Sequence, residues 1–176
     1  MAGVDVLICD DAGSNEVADF IAADTKARRV MLIHAKASGH TRLLSASAFA
    51  EVVGQALKNL DILTPFSTTE PPNLGKWESN WRASWRDEPQ VVTRRLRRGP
   101  RTAHAAWQAV QRVIRDPAAT REVWIVVGST FSRDEFRRAA ERPSQPPEVI
   151  QLLYSLQSAW GAVGSVGARL RVFCSP

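Results

Sequence analysis

Short apolar runs separated by polar turns open the chain. Val4–Cys9 reads as a strand, and Asp10–Asn15 is a turn cluster containing Gly13. Glu16–Ala23 reads as a second strand, and Val30–Ala35, β-branched and apolar, as a third. Three strands joined by short polar turns predict an antiparallel meander. The period then changes. Leu44, Ala48, Phe49, Val52, Val53, Ala56, Leu57 and Leu60 recur at helical spacing and predict an amphipathic helix over Ser45–Leu60, capped by Ser45 or Ser47. Pro65 and the Pro71–Pro72 pair end it.

Lys76–Arg101 follows no simple pattern. Trp77, Trp81 and Trp85 stand four apart, which would set three indoles along one helix stripe, and an arginine tract follows. The stripe either packs on the core or offers stacking surfaces to bases. Beyond it, the pattern predicts a helix over Ala103–Arg115 and a buried strand over Glu122–Ser129. A short helix over Arg133–Glu141 and a longer one over Val149–Ala162 come next, with a closing strand over Ala168–Cys174. The order β-β-β-α, insertion, α-β-α-α-β predicts an α/β fold, a mixed sheet flanked by helices. One domain over 1–176 is expected, with its core in 4–60 and 102–176 and an insertion over about 65–101.

Composition narrows the classes. The 176 residues hold 23 Lys and Arg against 18 Asp and Glu, a net charge of +5. Six acids and no base lie in the first 24 residues, whereas Thr93–Arg101 carries five arginines and no acid. An acidic cluster inside a basic protein suits a metal-dependent enzyme acting on a polyanion, and it also arises on a solvated face. No run reaches the roughly 20 apolar residues of a membrane span, and acids stand where a signal peptide needs bases. A cytoplasmic protein without membrane contact is therefore expected. Two cysteines, Cys9 and Cys174, make neither a disulfide framework nor a zinc cluster and read as small buried hydrophobes. The glycines of Gly161–Gly167 follow a helix and precede a strand, the reverse of a phosphate loop.

Chemistry concentrates on the second hairpin. If the chain turns on Thr25–Arg28 with Asp24 opposite Arg29, Asp19 falls opposite His34, and Lys36 shares the face of His34. A one-residue slip would separate them. A carboxylate and an imidazole can hold a divalent metal, and an ammonium can orient water or balance phosphate charge. The alternative is a buried Asp19–Lys36 ion pair with His34 as its neighbour.

Glu16-Val-Ala-Asp19-Phe-Ile, a short turn, and Met31-Leu-Ile-His34-Ala-Lys36 together resemble the core of the PD-(D/E)XK nuclease superfamily. Gln55 on the following helix, four residues from Glu51, matches the position of a glutamine common in that superfamily. The resemblance covers residues about 4–60, and 100–176 by element order alone. It implies a restriction-endonuclease-like αβββαβ core and a DNA endonuclease or exonuclease of repair or bacterial defence. It implies magnesium or manganese as cofactor, held by Asp19 and His34. Lys36, Gln55 and Glu16 would complete the site, and Arg94, Arg95, Arg97, Arg98 and Arg101 would grip the DNA backbone. His34 stands where the superfamily has an acid, and imidazole suits magnesium poorly. The site therefore prefers manganese, or borrows an oxygen from Glu16, Asp10, Asp11 or Glu51, or is inactive. His40, in the loop after Lys36, reads as a solvated residue near any bound phosphate. An adjoining helicase or motor domain and a homodimer stay open as partners. The rival functions are an inactive nucleic-acid-binding module of a larger machine and a protein-interaction domain.

Overall fold

A computed structural model describes residues 3–11, 15–36, 44–82 and 91–176. His40 and Trp85 lie outside the described residues. The fold is α/β, with a six-stranded mixed sheet flanked by helices. Its strands are β1 (Val6–Cys9), β2 (Phe20–Asp24), β3 (Arg29–Ala35), β6 (Leu96–Arg98), β7 (Thr120–Ser132) and β8 (Arg169–Ser175), in the order β6-β1-β2-β3-β7-β8. Two-residue strands β4 (Trp81–Arg82) and β5 (Val91–Val92) pair separately. The helices are α1 (Ala46–Lys58), α2 (Ala103–Arg115), α3 (Arg133–Ala140) and α4 (Pro147–Ser165). No helix among the described residues is long and apolar enough to cross a membrane.

The chain divides into two compact, interleaved units: residues 1–32 with 61–121, and 33–60 with 122–176. In the first unit β1 pairs antiparallel with both β2 and β6, and α2 packs against β1 and β2. The hairpin turn falls on Thr25–Arg28, as the pattern predicts. The Asp24 carboxylate accepts from the Ala27 N–H, three residues on, at 2.8 Å and so ties the turn to the end of β2. Trp77 and Trp107 meet edge to face, 6.2 Å between ring centres, and both are buried.

The second unit forms around α1, α4, β7 and β8. Ser45 caps α1 and Ser132 caps α3, each side chain accepting a main-chain N–H three residues on. Phe131 stacks between Phe49 and Phe136, and α1 packs against α4. β7 and β8 run parallel, and α3 and α4 supply the crossover that parallel pairing needs. Their register shifts at Gly128, whose φ of 45° suits a residue without a Cβ at a bulge.

Two expectations need correction. The tryptophan run is not a helix: Trp77 ends a 3₁₀ turn at Leu74–Lys76, and Trp81 lies in β4. The second strand starts at Phe20 rather than Glu16. Over the preceding residues the main chain bonds to its own loop: Asp10 and Asp11 N–H both donate to the Asp19 carbonyl, at 3.0 and 3.3 Å. Val17 N–H donates to the Asp10 carboxylate at 2.7 Å.

Candidate functional site

Those same bonds gather the acids. By folding back on the Asp19 carbonyl, the segment after β1 brings Asp11, Glu16 and Asp19 together, with one ligand atom from each within 4.8 Å of the others. All three are half-buried, so an ion with its waters can reach them. An all-oxygen set suits magnesium, manganese or calcium rather than zinc or copper.

The dipeptide Asp10-Asp11 splits into two roles. Asp10 is fully buried, and one oxygen accepts from the Trp77 indole at 2.6 Å while the other accepts from Val17 N–H. Burial holds its carboxyl above the usual carboxylate range, against the pull of both donors. As an extra metal ligand Asp10 is overturned, because both oxygens are committed inside the core. Asp11 accepts from the Trp81 indole at 3.1 Å. The two indoles of the insertion therefore clamp the two adjacent acids. As a platform for bases, Trp77 is ruled out by its burial.

The arginine tract borders this cluster. Arg95 donates to the Asp11 carbonyl, and to that of Cys9 at 3.5 Å. Arg98 donates to the Val4 carbonyl at 2.6 Å. Arg94 donates to the Arg101 carbonyl, and Arg97 to that of Arg94 at 3.3 Å. The Arg95 and Arg98 bonds tie β6 to β1 and its flanks, and the Arg94 and Arg97 bonds stay within the tract. Arg97, Arg98 and Arg101 are exposed.

The remaining expected residues belong to the second unit. Lys36 follows β3, and its N–H donates to the Val126 carbonyl at 2.8 Å. Its Nζ meets Glu51 Oε1 at 2.5 Å, so Glu51 is placed to hold the lysine. Gln55 is exposed, one turn further along α1. His34 is buried at 3% exposure, and its Nε2 has no hydrogen-bond partner. Cys9 is a free, buried thiol raised by burial to about 11, and Cys174 is free and half-buried, as small packing residues would be.

Burial lowers His34 to about 4, so the imidazole is neutral at pH 7. An unfolded histidine takes up its proton near pH 6.5. The folded state binds fewer protons between these values, so its stability is complete above pH 6.5 and is lost as pH falls toward 4. Urea unfolding of the parent is expected to show a loss between pH 7 and pH 4.5 that exceeds the loss in His34→Leu by about 2 kcal/mol. Equal losses in the two proteins would contradict a neutral buried imidazole.

Comparison with family models, with curated proteins and with solved structures finds no match.

Proposed function

We propose that this protein is a metal-dependent nuclease that hydrolyses phosphodiester bonds in DNA. The observation that carries the reading is the meeting of Asp11, Glu16 and Asp19 beside an arginine-rich strand. A bound magnesium or manganese ion would supply Lewis-acid stabilisation and an activated water. The three carboxylates would hold it, and the arginines would draw in the polyanion. This donor set, drawn from the first unit, replaces the Asp19–His34 pair as the proposed ligand assignment. Lys36, with Glu51 on its ammonium, and Gln55 lie in the second unit and are not assigned to this donor set. A cytoplasmic place in DNA repair or defence, beside a motor domain, remains part of the proposal.

The test is incubation with labelled single- and double-stranded DNA in magnesium and in manganese. Cleavage is expected with either ion and is expected to stop on chelation. A gel-shift series in rising salt, run alongside, is expected to show affinity falling steeply as counterions compete for the phosphates. Salt-sensitive binding without metal-dependent cleavage would mark an inactive binding module instead. Neither cleavage nor binding would refute both.

A further inference from the structure

α4 is a 19-residue helix with one charged residue, Glu148. Its inner stripe, Val149, Leu152, Ala159 and Val163, is buried. A surface helix normally turns charge outward from such a stripe, and one that is apolar all round is normally covered. Here the outer stripe carries Ile150, Leu153, Tyr154 and Trp160, with Tyr154 68% and Trp160 72% exposed. With Leu170 and Val172 of β8 these side chains line an open groove of about 900 Å³. β8 is the last strand of the sheet, and no strand among the described residues pairs with its outer main-chain edge. An uncovered edge beside an uncovered apolar groove invites strand addition.

We infer that this face binds a second copy of the chain, β8 pairing antiparallel with β8 across a two-fold axis and the two α4 helices packing beside it. Charge chooses the register. A two-fold centred on Val172 sets Arg171 opposite Phe173 of the second copy and Arg169 opposite Ser175, so no like charges face each other. Centring on Arg171 would oppose two arginines, which is destabilising. The centred pair is already held in place. Arg171 Nε donates to the buried Glu122 at 2.9 Å, and Phe173 packs on Trp124 at 4.8 Å. The area suffices. A helix about 28 Å long and a strand about 23 Å long, each roughly 10 Å wide, project about 500 Å². Accessible area follows contours and exceeds that projection, approaching the ~800 Å² per partner of a stable interface. A membrane-surface helix would instead carry Lys or Arg on its polar face, and α4 has none. A lone partner helix would fill the groove and leave the strand edge bare.

Sedimentation equilibrium between about 1 and 100 μM is expected to give twice the 19.4 kDa chain mass. Trp160→Glu is expected to weaken the dimer at least about 100-fold with an unchanged far-UV circular dichroism spectrum, since burying one unpaired charge costs several kcal/mol. Tyr154→Glu serves should Trp160→Glu fail to fold. Hydrogen exchange is expected to slow at alternate β8 amides on dimerisation. A parent chain that stays monomeric at 100 μM overturns the inference, including one that instead binds phospholipid vesicles. So does a dimer that both variants leave intact, or a dimer without β8 protection.

Discussion

Replacing Asp10 by alanine is expected to cost about 2–4 kcal/mol of folding stability. The change would strand two buried donors, the Trp77 indole N–H and the Val17 N–H. Each unsatisfied donor costs about 1–3 kcal/mol. Part is returned, because burial already disfavours the charged carboxylate. Its raised folded value means that stability falls as pH rises from the ordinary carboxylate range through that value, and alanine removes this loss. Urea unfolding checks the size of the effect. Asp11→Ala is the control: it loses a half-buried bond to Trp81 and is expected to cost under about 1 kcal/mol. Trp77→Phe keeps most of the ring and removes the donor, so a double-mutant cycle with Asp10→Ala is expected to show coupling of about 1–3 kcal/mol. Additive effects would show that the indole–carboxylate bond does not anchor the inserted segment.

The second large effect is on catalysis. Asp19→Ala is expected to lower metal-dependent DNA cleavage at least about 10³-fold, equivalent to roughly 4 kcal/mol of transition-state stabilisation. Asp19 combines two roles in the proposed centre. Its main-chain carbonyl closes the loop onto Asp10 and Asp11, and its carboxylate supplies one of the three clustered oxygens. Alanine retains the carbonyl and removes the carboxylate, so the loop is expected to persist while the ligand set falls to two. The circular dichroism spectrum and urea midpoint check the first expectation, and single-turnover cleavage checks the second. Cleavage by Asp19→Ala at the parent rate would remove this residue from the reaction.

Local pattern was enough where an element answers mainly to its own sequence. The apolar spacing of Ala103–Arg115 matches α2 end for end, and of the two caps the sequence offers for α1, Ser45 is the one used. The four-residue turn at Thr25–Arg28 was legible because a polar stretch separates two apolar runs. The insertion was not legible. Trp77 and Trp81 are set by acids 67 and 70 residues away, and those distant bonds override a helical period. Leu96–Arg98 hides an edge strand inside an arginine tract, with Leu96 buried and two exposed arginines after it. At the candidate site, the sequence offers Glu16, Asp10, Asp11 and Glu51 as substitutes for the missing acid, and of these Glu16 and Asp11 join Asp19. Their meeting with Asp19 depends on main-chain bonds in the 10–19 loop that no spacing rule encodes. The doubled apolar face of α4 could have been read directly, since nineteen residues with one charge exceed what one buried stripe requires.

Titration of the full chain with manganese, followed calorimetrically, tests the central claim most directly. The account expects saturable binding, weakened at least about 100-fold in Asp19→Asn and in Glu16→Gln and unchanged in His34→Leu. Absence of saturable binding, or binding indifferent to both acid substitutions, would contradict it.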